Sequence, residues 1–164
     1  MGIGDQVKDI DSAANINFEM GKSYEQEGPE SLKYAIECYE KAANLGNPQA
    51  IKKYTNIFKR NFKNTYNFNQ ENITNIINCL KFLANSNNIE DSSYAAFELG
   101  EFYNFSLGVE EDKVLALTYY KLAKDNGHEL ADREIESLES KIPNLSYLVS
   151  CFLSAVNQSN VGRL

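Results

Sequence analysis

Side chains able to act as nucleophiles, bases or metal ligands are sparse in this chain. It has one histidine, His128, and three cysteines, Cys38, Cys79 and Cys151. Catalysis needs a nucleophile or base held beside an orienting partner, and no motif around these four residues supplies one. The cysteines are odd in number and stand at neither CxxC nor zinc-finger spacing. They predict neither a disulfide framework nor a metal site, and read as buried thiols. Paired carboxylates are the remaining route to acid–base work in so acidic a chain, but the run Glu110-Glu111-Asp112 stands at a predicted helix start, where negative charge complements the helix dipole. The sequence has no phosphate-binding loop, dinucleotide fingerprint or metal-ligand spacing, so no catalytic residue, cofactor or metal is predicted. Lys52, Lys53, Lys59, Arg60 and Lys63 form a basic cluster in an otherwise acidic chain. Two readings of it stand side by side: a local site for a carboxylate or acidic segment, and a plain solvated helix face.

The elements that must position these residues are bounded by composition. A chain of 164 residues, 43% hydrophobic, is long enough for one domain with a core. Sixteen basic against 23 acidic residues give a net charge of −7, which opposes nucleic-acid binding and favours a basic or neutral partner. No segment approaches the roughly 20 apolar residues of a bilayer span. The opening Met1-Gly2-Ile3-Gly4-Asp5 lacks the blocks of a signal peptide, and Gln6 stands where myristoylation wants Ser or Thr. A cytoplasmic protein without membrane attachment is expected. In that setting the Asn-x-Ser/Thr triplets at Asn72, Asn104, Asn144 and Asn157 read as chance.

The chain repeats itself. Residues 16–50 and 95–131, aligned on Gly21 and Gly100, share an apolar-Gly pair (Met20-Gly21, Leu99-Gly100) and then Tyr24 and Tyr103. Tyr39 and Tyr120, Ala42 and Ala123, Gly46 and Gly127, and Ala50 and Ala131 follow in the same order. Each copy predicts two antiparallel helices in which small residues let the backbones approach and tyrosines fill the space between neighbouring pairs. Gly46 and Gly127 fall where a helix ends in a left-handed residue, and Pro29 and Pro48 at first turns, where a missing N–H costs nothing. A weaker copy lies between, with Thr55 in the register of Gly21 at the period of about 34 residues and Cys79 and Ala84 matching Cys38 and Ala43. Its helices are predicted over Asn47 to Phe62 and Glu71 to Asn85, with loops at Asn61 to Asn69 and Asn85 to Asn88.

Leu99-Gly100, Tyr103, Gly108-Val109, Asp112, Ala116, Tyr119-Tyr120, Ala123, Gly127-His128 and Ala131 closely resemble the Sel-one-like (Sel1-like) repeat, a relative of the tetratricopeptide repeat. The first copy departs by having Gly28-Pro29-Glu30-Ser31 in place of the Gly-Val-x-x-Asp connector, which shortens the turn. The resemblance implies an all-α fold, a right-handed α-α superhelix (α solenoid) of about eight helices with a C-terminal capping helix. It places His128 in the turn between units. The single domain, 1–164, then divides into an arm at 1–10, a repeat at 11–46, a degenerate repeat at 47–88, a repeat at 89–127, and a half repeat with capping helix at 128–164. The half repeat's helix stops near Lys141, before Pro143. In the last helix Leu145, Leu148, Val149, Phe152, Leu153 and Val156 share one face, suited to covering the end of the stack or to docking a partner. Residues 158–164 are expected to be a second loose arm.

In repeats of this kind the first helices line a concave groove. Groove positions carried over by register are Phe18, Lys22 and Glu25; Lys52, Asn56, Lys59 and Arg60; and Tyr94, Phe97, Glu101 and Phe105. Tyr94, Phe97 and Phe105 are additional to the apolar residues the repeat needs. They are either surface anchors for a partner or buried by the fourth helix pair. Lys52-x-x-x-Asn56 looks like part of a clamp for a peptide C-terminus, which Glu98 does not continue. The implied function is a non-catalytic binding module for one protein partner, with a monomer as the favoured state. Most concretely, an acidic chain of this kind suits an immunity protein or dedicated inhibitor of a basic bacterial toxin domain; the alternatives are a general scaffold for peptides and, remotely, an enzyme. On this expectation a Phe97→Ala/Arg60→Glu double variant loses its partner while helicity and melting stay nearly unchanged.

Overall fold

A computed structural model of the chain describes residues 3–62 and 68–161, with side chains over 6, 8–62 and 68–155. The regular elements in these ranges are all helical. They are α1 (Ile3–Glu27), α2 (Leu32–Asn44), α3 (Pro48–Asn61), α4 (Gln70–Ala84), α5 (Ile89–Asn104), α6 (Lys113–Asp125), α7 (Ala131–Lys141) and α8 (Leu145–Val161), with a 3-10 turn over Pro29–Ser31 between α1 and α2. The all-α fold of paired helices expected from the repeats is the one observed. Two compact units are formed, Met1–Leu83 and Ala84–Leu164. In the first, α1 packs on α2 and α2 on α3; in the second, α5 packs on α6, and α6 on α7 and α8.

Each matched hairpin closes around a tyrosine ring set on a glycine. A Cβ on Gly21 would meet the Tyr39 ring at 2.7 Å, and one on Gly100 would meet Tyr120 at 2.6 Å. Both rings are fully buried, so neither can swing away, and only hydrogen fits beneath it. The rings therefore lie inside their own hairpins, which corrects the expectation that they fill the space between neighbouring pairs. A buried phenol needs a partner, and the residue one turn after each glycine provides it. Tyr39 Oη donates to Glu25 Oε2 at 2.7 Å, and Asn104 Nδ2 donates to Tyr120 Oη at 3.3 Å. The degenerate copy has Thr55 and Leu80 at the corresponding places, both fully buried. There a shorter second-helix side chain goes with a larger residue at the glycine position. The exchange leaves Thr55 Oγ1 buried without a hydrogen-bond partner among the described residues.

The turns follow from capping. α2 and α6 end alike: Gly46 N–H donates to Ala43 O and Asn47 N–H to Ala42 O, while Gly127 N–H donates to Lys124 O and His128 N–H to Ala123 O. This is the six-to-one and five-to-two pairing of a left-handed helix end, with Gly46 and Gly127 at φ 87° and 83°. The Asn47 side chain then caps α3 by accepting from Ala50 N–H at 2.9 Å. Asp112 caps α6 by accepting from Leu115 N–H at 2.9 Å, so the acidic run at residues 110–112 does open a helix.

Both expected arms are corrected in their described parts. Ile3 to residue 10 forms the first turns of α1, and α8 continues to Val161. α8 caps the α6–α7 core through Leu145 and Val149, each 2% exposed, whereas Leu148, Phe152 and Leu153 stay exposed. The contact takes a narrower arc of the helix than its apolar pattern covers. Lys63, the side chain of Val156 and most of the 61–69 loop lie outside the described residues.

The ring-on-glycine arrangement is tested by Gly100→Ala. Overpacking is expected to cost about 1–3 kcal/mol, against roughly 1 kcal/mol of helix propensity gained, so urea unfolding should show net destabilisation. In a Tyr120→Leu background the same substitution should become neutral or stabilising; a loss of equal size there would show that the ring is not the cause.

Candidate functional site

The predicted surface residues of the first unit are positioned by α1 and α3. On α1, Phe18 is only 7% exposed and tilts against Tyr39 with ring centroids 5.8 Å apart, so it belongs to the core. Lys22 reaches over the Phe18 ring, Nζ 5.5 Å from its centroid, and pairs with Glu19 at 2.9 Å. Glu25 is a hub. It accepts from Tyr39 Oη and, at 2.9 Å, from Lys53 Nζ, which ties α3 to α1. Burial alone would raise its carboxyl pKa, but the hydrogen bonds from Tyr39 and Lys53, with the charges of Lys53 and Arg60, outweigh this and hold it below the usual glutamate value. The same burial, with the Glu25 carboxylate, pushes the Tyr39 phenol far above its ordinary range. On α3, Lys52 and Lys59 are half-buried while Asn56 and Arg60 are exposed. The basic cluster is thus partly engaged within the fold, through Lys53.

The second unit separates the three extra aromatics. Phe97, 7% exposed, lies in the core with Leu117, Tyr120, Ala131 and Ile135. It stacks face to face on His128, with centroids 4.0 Å apart and planes 8° apart. The reading of Phe97 as a surface anchor is overturned: the following helices bury it. Phe97→Ala would cost about 3–5 kcal/mol of stability, so it cannot serve as a binding probe. Tyr94 and Glu101 are half-buried, and Phe105, 55% exposed, stands at the end of α5. Phe18 and Phe97 both occur three residues before the repeat glycine. The same residue type at the same register in both copies was the available signal that they serve packing.

Other groups escape a motif search. Glu40 Oε1 accepts from Tyr54 Oη at 2.8 Å, Asn72 Nδ2 at 3.0 Å and Asn75 Nδ2 at 3.1 Å, joining α2, α3 and α4. Asn104 Oδ1 accepts from Lys113 Nζ at 3.0 Å, as Glu25 accepts from Lys53. A polar residue four positions after each glycine, Glu25 and Asn104, is the sequence trace of these networks. Of the thiols, Cys38 and Cys79 are buried as expected, whereas Cys151 is exposed, which corrects that reading. Burial pushes the Cys79 thiol up to about 11.

What the arrangement offers chemically is charge pairing and hydrogen bonding. Among the described residues, no group of three or more His, Cys, Asp or Glu is placed to hold a metal ion, and no helix is long and apolar enough to cross a membrane. The family model for the Sel1 repeat matches residues 17–47 and 93–128, which hold the two hairpins with a tyrosine set on a glycine. No curated protein and no solved structure matches the chain.

His128 makes the second unit sensitive to acid. Burial holds its imidazole below the ordinary value of 6.5, against the opposing charges of Glu129 and Glu101. A depressed folded-state value favours the neutral ring, so the stability it contributes is complete above 6.5 and is lost as pH falls through the lowered value. Melting temperature should therefore fall between about pH 7.5 and pH 5.5, above the carboxylate range, and His128→Phe, which keeps the stack, should flatten that slope. An unchanged slope in the variant would assign it to other groups.

Proposed function

We propose, from the premise that this chain belongs to the Sel1 repeat family, that it is a non-catalytic binding module holding one protein partner through the first-helix surface of its first unit. Sel1 repeats mediate protein–protein interaction. The observation that carries the reading is the charged platform around Glu25, whose carboxylate, fixed by Tyr39, pairs with Lys53 and feels the charge of Arg60, with Lys22 paired to Glu19 on the same helix and Asn56 exposed on α3. A platform held by internal hydrogen bonds loses little freedom on binding. Lys52 and Lys59 complete the set of proposed contacts on this unit, and Phe18 supports it from the core; Tyr94, Glu101 and Phe105 are proposed contacts of the second unit taken by itself.

The net charge of −7 favours a basic partner through long-range attraction. The most concrete form of the proposal is a cytoplasmic immunity protein or dedicated inhibitor that covers the active site of a bacterial toxin domain. A second reading rests on Lys52 and Asn56, one turn apart on α3 with Asn56 exposed: a scaffold that captures acidic peptide ends. Affinity capture from cytosol distinguishes the two. One stoichiometric partner, released as salt rises from about 50 to about 500 mM, supports the inhibitor; several weak partners support the scaffold.

The surface itself is tested by Lys22→Glu/Asn56→Ala/Arg60→Glu. Binding of the captured partner, measured by calorimetry, should weaken at least about tenfold. Melting should shift little, because surface substitutions of this kind change stability by about 0.5 kcal/mol or less. Wild-type affinity in this variant would place the contact on another face.

A further inference from the structure

α8 carries an apolar face that the fold leaves uncovered. From Leu145 to Val161 it contains no charged residue, in a chain of net charge −7. Leu145 and Val149 point into the core. At about 100° per residue, Tyr147, Leu148, Cys151, Phe152 and Ala155 share one outer face, with Ser150 and Ser154 along its Tyr147 edge, while Ser146 and Leu153 lie on the other side of the helix. Tyr147 is 69% exposed, Leu148 47% and Phe152 42%. The helix is nonetheless held in place. Lys121 Nζ on α6 donates to Ser146 Oγ at 2.8 Å, and Ser146 Oγ donates to Glu139 on α7.

We propose that the outer face of α8 is a self-association surface, packing helix against helix with the same face of a second copy to form a homodimer. Charge selects this occupant. A charged partner finds no countercharge on α8, whereas two copies of an acidic chain can meet there without bringing like charges into contact. The area is sufficient. These side chains expose on the order of 400 Å² of apolar surface per copy. At the roughly 65% apolar content of homodimer interfaces, that corresponds to about 600 Å² per copy. Two copies then bury about 1,200 Å², the lower end of specific, stable interfaces.

Sedimentation equilibrium of the full chain tests this independently of the partner-binding surface on α1 and α3. A monomer–dimer equilibrium in the micromolar range is expected. It should tighten with added salt, because screening relieves repulsion between the acidic bodies and weakens no ion pair at the contact. Tyr147→Glu and Leu148→Glu should each yield a monomer and Leu153→Glu, an exposed position on the opposite side of the helix, should not, all three keeping wild-type helicity by circular dichroism. A wild-type chain that stays monomeric to about 200 µM, a dimer that weakens with salt, or one that survives both Tyr147→Glu and Leu148→Glu overturns the proposal.

Discussion

A tyrosine ring lying flat on a glycine sets the geometry on which the two matched hairpins depend. The ring is too large to share its position with a Cβ, and the distances of 2.6–2.7 Å to an added carbon show how little room remains. The helices can approach only where one partner has no side chain. The phenol is then carried to a fixed place, and a hydroxyl buried at a fixed place requires a fixed acceptor or donor. Glu25 and Asn104 are there because the rings are. Packing inside the hairpin thereby decides which polar residue stands one turn further along its first helix.

The consequence reaches the surface. Glu25, fixed by Tyr39, is the acceptor for Lys53 of the next helix, so a core contact organises the charges that face solvent on α1 and α3. In the second unit the corresponding residue is neutral Asn104, and its lysine, Lys113, comes from the same hairpin. One steric device thus supports two different surfaces. The first is a charged platform spanning two helices; the second closes on itself and leaves the aromatic Phe105 at its edge. The middle copy, with Thr55 and Leu80, gives up the ring and with it the phenol. There Glu40 gathers Tyr54, Asn72 and Asn75 instead.

Much of this was legible in the residues. Gly46 and Gly127 announced helix ends because a left-handed backbone is a local property, and Pro48 and Pro143 bounded helices for equally local reasons. The three candidate aromatics were not separable in this way. Tyr94 and Phe97 lie on α5 and Phe105 directly follows its end, and they differ in exposure because α6, α7 and the His128 turn arrive over Phe97 and stop short of Phe105. The same holds for α8, whose continuous apolar pattern gave no sign that only Leu145 and Val149 would find cover.

By itself, then, the sequence determined the helices, their caps and the register of the repeats, since these follow from backbone preference and from spacing along one chain. Only the tertiary structure decided that Phe105 and Cys151 are exposed, that Lys53 belongs to Glu25, and that one face of α8 stays bare. Burial and pairing depend on which distant element comes to rest on a residue, and that is a property of the packed chain rather than of any window within it.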